Sequence, residues 1–207
     1  MNRAKETRIG FAVGGAVLLM VAVVLLFAWF ARQADTEHFD STIRTAVHQL
    51  ASPGLTRFMR AVSVLGEALV LGAMSVLIVV LLSCLRQIRD ALVLAITMLG
   101  SLGLDLTLKH VFHRARPVPF VGTAPHSYSF PSGHALASLC FYATFALIVS
   151  GHVRRRGIRW ILWIITVLLI AAIGLSRIYL GVHYPSDVIG GYCAALFWVA
   201  AVNLFRK

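Results

Sequence analysis

Two polar segments hold the residues of this chain that are best suited to chemistry. The first segment occupies residues 109–134. The second, SRIYLGVHYPSD at residues 176–187, interrupts a long apolar stretch. Six of their residues, which are three cations, two histidines and one carboxylate, are the candidates for a common site. These six residues are Lys109, Arg116, His134, Arg177, His183 and Asp187.

This set of side chains is suited to phosphoryl transfer. Three cations can bind the equatorial oxygens of a phosphate, over which the charge of the transition state spreads. One histidine can attack phosphorus while a carboxylate fixes its tautomer and stabilises the cation that forms. A second histidine can protonate the leaving oxygen and later activate water. Ser132 and Gly133, at the start of a predicted helix, can point backbone N–H groups at an anion.

Each of these residues also has a purely structural interpretation. Lys109 and Arg116 could be helix-end anchors whose charges reach the headgroups. The i,i+4 spacing of His183 and Asp187 is also that of an ordinary surface pair, and His134 follows a serine that could cap a helix. Ionisable groups near a membrane are costly, however, and are candidates for function. Their convergence favours a site over six separate anchors.

The elements that position these residues are predicted to be membrane helices. Of the 207 residues, 59% are hydrophobic and 13% are charged, whereas soluble domains carry about a quarter charged residues. Apolar runs of about 20 residues, enough to cross a bilayer, recur along the chain. We predict an all-α, polytopic membrane protein with one domain over residues 1–207. Its six spans are predicted at about 9–30, 61–84, 90–108, 135–151, 158–175 and 187–205.

The order of the spans places both polar segments on one side of the membrane. Two predicted spans separate the segments, so they emerge on the same face whatever the orientation. Eleven of the 19 Lys and Arg residues fall on the opposite side, including the run RRRGIR at residues 154–159. The positive-inside rule then predicts that both termini are cytoplasmic. Topology and anionic lipid explain the net charge of +11 better than a nucleic-acid partner does.

The region before the second span is predicted to hold one span and one short helix. The apolar run at 9–30 exceeds the roughly 7–15 residues of a cleavable signal, and no A-x-A site follows, so it is expected to stay attached. Beyond it, Phe39, Ile43, Val47 and Leu50 recur at helical spacing. This pattern predicts a short amphipathic helix between spans one and two. Packing on the bundle is favoured over a role in admitting lipid.

Three motifs in these segments resemble those of a known family. KHVFHRARP fits K-x6-RP, PSGH fits the second motif, and SRIYLGVHYPSD fits S-R-x5-H-x3-D. They are the signature motifs of the type 2 phosphatidic acid phosphatase superfamily, and they occur here in the family's order. Six spans with the motifs on spans three to six also match. The resemblance covers about residues 60–205, which we take as the catalytic core.

The resemblance implies a lipid phosphatase that needs neither a metal nor another cofactor. It makes His183 the nucleophile that forms a phosphohistidine, Asp187 its orienting carboxylate, and His134 the general acid and then the base. The phosphate-binding residues that it implies are Lys109, Arg116, Arg177, Ser132 and the N–H of Gly133. Soluble acid phosphatases and haloperoxidases share the superfamily, but the six spans argue against both. A non-catalytic lipid-phosphate binder or carrier is the alternative, although it would not need both histidines.

The predicted topology places the site at the outer face of a bacterial cytoplasmic membrane, towards the periplasm or exterior. The expected partners are the bilayer and a lipid phosphate substrate, with no nucleic acid and no obligate protein partner. Undecaprenyl diphosphate is the first candidate substrate, followed by phosphatidylglycerophosphate and phosphatidate. The motifs contact only the phosphate, so they do not rank the lipid tails.

Two carboxylates outside the motifs are candidates for supporting roles. Asp105 lies one helical turn before Lys109, which is its nearest candidate partner. Glu67 lies at about the same depth on span two, where it could line the way into the site or bond to a phosphate-binding residue. Ordinary helix-packing hydrogen bonds are an equally good interpretation of both carboxylates.

His110, His113, His126 and Arg114 lie in the first polar segment, but the motifs assign them no role. His110 and His113 have an i,i+3 spacing, but no nearby carboxylate or cysteine completes a metal shell. The three cysteines lie in apolar runs without CxxC spacing, which predicts neither a zinc site nor a disulfide framework. His126 and Arg114 are predicted to be solvated loop residues.

Overall fold

The structure is a computed structural model that describes residues 34–123 and 126–204. Within these residues the regular structure is entirely helical, in agreement with the all-α prediction. The helices are α1 Ala34–Gln49, α2 Pro53–Val64, α3 Ala68–Cys84, α4 Ile88–Phe112, α5 Gly133–His152, α6 Arg156–Tyr179 and α7 Pro185–Leu204. The first predicted span, at 9–30, lies outside the described residues.

Four of the described helices, α4 to α7, are long and apolar enough to cross a membrane. Helices α2 and α3 form a fifth candidate if the bent pair is counted as one span. The structure therefore supports an integral membrane protein. The count of six spans and the cytoplasmic termini stay predictions.

The second predicted span is not one helix. Helix α2 ends at Val64 and α3 begins at Ala68, with a bend of 43° between them. At the break the backbone passes very close to the bundle, because a Cβ on Gly66 would lie 2.5 Å from Ile173 and 3.1 Å from His134. The prediction of a single helix at 61–84 was wrong. It rested on hydropathy, which is continuous across the bend, whereas the bend depends on the close contact of the Gly66 backbone with the bundle.

The third and fifth predicted spans are longer than the sequence indicated. Helix α4 continues to Phe112 and α6 to Tyr179, although hydropathy stops earlier at the polar residues. These polar residues lie in the last turns, where Lys109 pairs with Asp105 and Arg177 is buried by the bundle. Pairing and burial allow the helices to continue, so they carry two phosphate-binding candidates on rigid backbone.

Helix α5 is the central element of the bundle and packs against α4, α6 and α7. Its Leu136 and Cys140 belong to a buried cluster that also includes Leu108, Ile170 and Ala195 from the three neighbouring helices. Large apolar side chains on α3, α4 and α6 are exposed on the outside of the bundle, as expected of a surface that faces lipid. The first turn of α5 therefore lies at the centre of the end of the bundle where the two polar segments meet.

Helix α1 is the predicted amphipathic helix, and it packs on α6 and α7. Ile43 and Val47 contact the buried cluster around Ile178 and Val188. The buried face also holds a carboxylate, however, because Asp40 is 1% exposed. Packing on the bundle, the favoured interpretation, is confirmed; the polar content of the buried face was not predicted.

Candidate active site

A cavity of about 630 Å³ brings the two polar segments together. Its apolar part runs between α3 and α4. The polar residues at its other end are Asp105, Lys109, Arg116, Ser127, His134, Arg177 and His183. The folded chain thus brings the predicted histidines and cations together in one cavity, as the sequence indicated.

His183 is held by the tight connection between α6 and α7. Gly181 supplies a positive φ of 76° in this connection, a conformation that costs glycine little. The imidazole is 2% exposed, and its Nε2 lies 3.0 Å from Arg116 Nη1. A guanidinium can only donate, so Nε2 accepts and the proton is on Nδ1. Nε2 is therefore the ring atom that could act as a nucleophile.

The protonation state of His183 suits a nucleophile. Burial lowers the pKa of His183 to about 4, although the carboxylate of Asp187 acts in the opposite direction. The ring is therefore neutral at pH 7. Nδ1 lies 3.5 Å from Asp187 Oδ2, longer than a hydrogen bond, and contacts of this kind often shorten only when substrate binds.

Asp187 is fully buried in the first turn of α7 and is held from several directions. Its Oδ2 accepts hydrogen bonds from Ser129 Oγ at 2.5 Å and from the backbone N–H of Tyr184 at 2.9 Å. Its Oδ1 accepts from Arg114 Nη1 at 2.6 Å. These contacts orient the carboxylate towards His183, the position that the motif implied.

Arg114 is part of this site, and its assignment as a solvated loop residue was wrong. Its side chain is 18% exposed, and its Nη2 donates to Asp40 Oδ2 at 2.8 Å. The guanidinium also lies over the ring of Tyr184, 4.2 Å from the centroid. Burial alone would lower the pKa of Arg114, but the charges of Asp187 and Asp40 outweigh it and raise the pKa.

Arg116 and Arg177 are fixed by hydrogen bonds that leave part of each guanidinium facing the cavity. Arg116 donates to the backbone oxygens of Ser127 and Val182, at 2.6 and 2.9 Å. Buried Arg177 donates to Ser63 Oγ, and its Nε has no partner within residues 34–123 and 126–204. Ser63 was missed by the sequence analysis because it lies on α2, far from every motif.

Lys109 lies on α4 and pairs with Asp105, as the helical spacing indicated. Lys109 Nζ is 2.7 Å from Asp105 Oδ2. Oδ1 of the same carboxylate is buried and has no hydrogen-bond partner among the residues that the structure describes. A Cβ on Gly133 would lie 2.9 Å from this Oδ1, so glycine at that position allows the carboxylate to approach the start of α5.

The start of α5 offers different groups from those that the sequence suggested. The N–H of Ser132 donates to the carbonyl oxygen of Asp187 at 3.0 Å, so it is not free to bind an anion. Among the described residues the buried Ser132 hydroxyl has no partner, and it is the group that can do so. Gly133, as the first helical residue, has no intrahelical acceptor for its N–H. His134 lines the cavity, and its buried Nε2 likewise has no partner in the part of the chain that the structure describes.

The other residues singled out from the sequence do not line the cavity. Glu67 is exposed at the break between α2 and α3, where it is the N-cap residue of α3, and its side chain makes no capping hydrogen bond. His126 is exposed, as predicted. His110 Nδ1 lies 2.8 Å from the Leu106 carbonyl oxygen, and the ring of His113 contacts Tyr128. Across residues 34–123 and 126–204, no group of three or more His, Cys, Asp or Glu side chains is arranged to hold a metal ion.

The sequence model of the PAP2 superfamily matches residues 90–207, which is more than half of the chain. The chain belongs to the PAP2 superfamily. The resemblance drawn from the three motifs, to the type 2 phosphatidic acid phosphatases, is thereby confirmed. This family membership also supports the lipid phosphatase class.

Individual relatives agree with this assignment. Phosphatidylglycerophosphatase B of Bacillus subtilis is 30% identical over 91% of this chain and 96% of its own length. An undecaprenyl-diphosphatase of Sulfolobus acidocaldarius is 31% identical over 58% of this chain and 56% of its own length. Among solved structures, a transmembrane PAP2 type phosphatidylglycerolphosphate phosphatase from Bacillus subtilis superposes with a TM-score of 0.82. The two chains are 27% identical, and the match covers 91% of this chain and 94% of that one.

Proposed function

We propose that this protein is an integral-membrane phosphatase that hydrolyses a lipid phosphate or diphosphate through a phosphohistidine intermediate. The observation that carries the proposal is one continuous cavity with His134, His183 and three cations at one end and an apolar channel at the other. A soluble phosphate ester would not need the channel. A binder that only held the headgroup would not need both histidines.

The proposed reaction has two steps. In the first, Nε2 of His183 attacks the terminal phosphorus and the bond from this phosphorus to the leaving oxygen breaks, with His134 giving that oxygen a proton. The leaving oxygen belongs to the lipid alcohol in a monophosphate and to the inner phosphate in a diphosphate, from which a lipid monophosphate departs. In the second, His134 takes a proton from water, the water oxygen attacks phosphorus, and the P–N bond breaks to release inorganic phosphate. Asp187 faces the Nδ1 proton in both steps and stabilises the cationic ring.

The cations bind the phosphoryl oxygens during both steps. Arg116 donates to Nε2 of His183 in this structure, and a bound phosphate would take over that donor. Lys109 and Arg177 approach from α4 and α6, so the three charges surround the phosphorus position from different elements. Fixed cations in a site away from bulk water stabilise the spreading transition-state charge without reorganisation.

The apolar part of the cavity fits a lipid tail. It is lined by α3 from Ala68 to Val80 and by α4 from Ala95 to Leu102. The rise along α3 from Ala68 to Val80 is about 18 Å, which is comparable to one leaflet of the hydrocarbon core. The space beside Gly72 is open, because a Cβ there meets no atom within 4 Å.

The substrate is proposed to come from the outer leaflet, with the site facing the periplasm or exterior. Undecaprenyl diphosphate, preferred from the sequence, is one candidate. Phosphatidylglycerophosphate is an equal candidate, because a relative matched over nearly its full length is named for it. Phosphatidate follows.

The deciding experiment is hydrolysis of a panel of lipid phosphates and diphosphates by the purified protein in mixed micelles. We expect turnover of at least one lipid, no loss of activity in EDTA, and inhibition by vanadate, which mimics the transition state on His183. Phosphate release from none of the lipids would contradict the proposal. Tight lipid-phosphate binding without turnover would favour the alternative, a binder or carrier.

The channel can be tested with a matched pair of glycine variants. Gly72→Phe should raise KM for long-chain lipids and leave a short aryl phosphate unaffected. Gly103→Phe is the control, because Gly103 also has open space around it but does not line the cavity. Equal effects of the two variants on the long-chain lipid would exclude the channel as the tail site.

A further inference from the structure

Asp40 is a buried carboxylate that lies behind the site, on a helix that carries none of the three motifs. It is 1% exposed, and its Oδ1 accepts a hydrogen bond from the N–H of Ser186 at 2.9 Å. Its Oδ2 accepts from Ser186 Oγ at 2.6 Å and from Arg114 Nη2 at 2.8 Å. Asp40 therefore caps the first turn of α7 from another helix, one residue before Asp187.

Arg114 joins this carboxylate to the one that faces the nucleophile. Its Nη1 donates to Asp187 Oδ1 at 2.6 Å while its Nη2 donates to Asp40. Its Nη1 also lies 2.8 Å from Ser186 Oγ. One planar guanidinium thus fixes two carboxylates at once, a geometry that lysine cannot reproduce.

The net charge of the three side chains Asp187, Arg114 and Asp40 affects how well a cationic His183 ring is stabilised. Asp187 and Arg114 alone would form a neutral pair, which would offer little stabilisation to a cationic His183 ring. With Asp40 the group carries a net charge of −1, which matches the positive charge that develops on His183 as the phosphohistidine forms. In a buried site such a difference is weakly screened.

We propose that Arg114 and Asp40 are positioning residues for the phosphatase reaction, which together fix the orientation and the net charge of Asp187 behind His183. Helix α1 is then a part of the catalytic unit. This inference rests on the proposed phosphatase function.

Several other groups act on His183 and must be held constant in a test. Arg116 from the loop, Arg177 from α6, His134 from α5 and Lys109 from α4 face it from the cavity side. Arg44 on α1 lies near the rings of Phe120 and Tyr184. Variants at Asp40 and Arg114 leave all of these residues in place.

The test is the pH dependence of kcat/KM, measured with the full-length protein and an aryl phosphate. Asp40→Asn makes the group behind His183 neutral, which disfavours the protonated ring, so the acid limb should move to lower pH. Arg114→Gln makes the group −2, so the acid limb should move to higher pH. Each shift should be about 0.5–1 pH unit, and kcat should fall roughly 10- to 100-fold.

Two further variants separate charge from shape. The double variant Asp40→Asn with Arg114→Gln restores the net charge of −1, so its acid limb should return towards that of the wild type while kcat stays low. Arg114→Lys keeps the charge but loses the two-pronged contact, so it should lower kcat without moving the limb. Glu37→Gln on α1 and Arg57→Gln on α2 are exposed controls and should change neither quantity.

The outcomes distinguish positioning residues from residues that only hold the fold together. Opposite shifts in the single variants, with restoration in the double variant, support the inference. Lower activity with no shift, or shifts in the same direction, would overturn it, because a residue that only holds the fold together would act in that way. If one single variant fails to fold, as judged by thermal unfolding in detergent, the other variants still decide. A wild-type protein that releases no phosphate refutes the proposed function instead.

Discussion

Behind His183 the side chains of Asp187, Arg114 and Asp40 are bonded to one another, whereas in front of it several buried polar atoms have no partner within the described residues. The rear set consists of these three side chains with Ser129 and Ser186, joined by charge-assisted hydrogen bonds. His183 Nδ1 lies between the two sides, 3.5 Å from Asp187 Oδ2, and has no hydrogen-bond partner among the described residues either. The front set consists of the cavity-side atoms without such a partner, which are Ser132 Oγ, His134 Nε2, Arg177 Nε and Asp105 Oδ1.

This difference shows how the fold separates two tasks. A buried polar atom without a partner costs about 1–3 kcal/mol, so native proteins keep few of them and concentrate them at functional sites. The rear set satisfies the hydrogen-bonding groups of the buried carboxylates behind His183. The front set has donors and an acceptor that a phosphate and its leaving group can use. Substitutions on the two sides should therefore differ in their effect on stability.

The largest effect on activity is expected for substitution of His183, which lies between the rear and front sets. His183→Ala should abolish turnover, because no phosphoenzyme can form, and should leave expression and fold intact. Acid-quench labelling with a radiolabelled phosphate ester should show labelled wild-type protein and no label on the variant. Residual turnover by His183→Ala would refute the covalent mechanism.

His134→Ala should have the next largest effect, and it should depend on the leaving group. General acid catalysis is worth roughly 10²–10⁴-fold, so kcat for a lipid phosphate should fall by about that factor. An activated aryl phosphate, whose leaving group needs no proton, should lose much less. Equal losses on the two substrates would contradict the assignment of His134 as the acid.

The pH dependence follows from the burial of His183. Because its pKa is lowered to about 4 in the fold and is about 6.5 when exposed, the unfolded chain binds more protons between these values. Stability from this residue is therefore present above about pH 6.5 and is lost as the pH falls towards 4. The acid limb of kcat/KM should lie near pH 4 to 5. A limb near 6.5 would show that the histidine is solvated.

Two serines three residues apart give the sharpest comparison of rear and front. Both are fully buried, but Ser129 donates to Asp187 whereas the Ser132 hydroxyl has no partner. Ser129→Ala should destabilise the protein by about 1–3 kcal/mol and lower kcat. Ser132→Ala removes an unpartnered buried hydroxyl, so it should keep or raise the midpoint of thermal unfolding and lower kcat/KM several-fold. If both variants lose the same stability, the distinction between the two sides is wrong.

Asp105→Asn should give the smallest of these effects. The substitution removes the ion pair with Lys109 but keeps a polar side chain against Gly133, so KM for the phosphate substrate should rise a few-fold while kcat and expression hold. Asp90→Asn near the start of α4 is a control far from the site. Normal KM, or failure to express, would show that Asp105 serves packing instead of positioning Lys109.

The motif residues could be placed from the sequence because their relative positions depend mainly on their spacing along the chain. A helical i,i+4 relation puts Asp105 beside Lys109, and two intervening spans bring His134 and His183 to the same face. These relations depend on local geometry and on the parity of membrane crossings, so they need no knowledge of packing. The family assignment rests on the same short-range patterns.

Only the tertiary structure decided the roles of Arg114 and Asp40 and the break between α2 and α3. Asp40 and Arg114 are 74 positions apart, and periodicity can show which face of α1 is apolar without showing what that face meets. A carboxylate on an otherwise exposed amphipathic helix is normally solvated; here docking on α6 and α7 buries it against a guanidinium. The sequence determines which groups can do the chemistry, while long-range packing determines which charges lie behind them, because a buried charge acquires its partner only when distant elements meet.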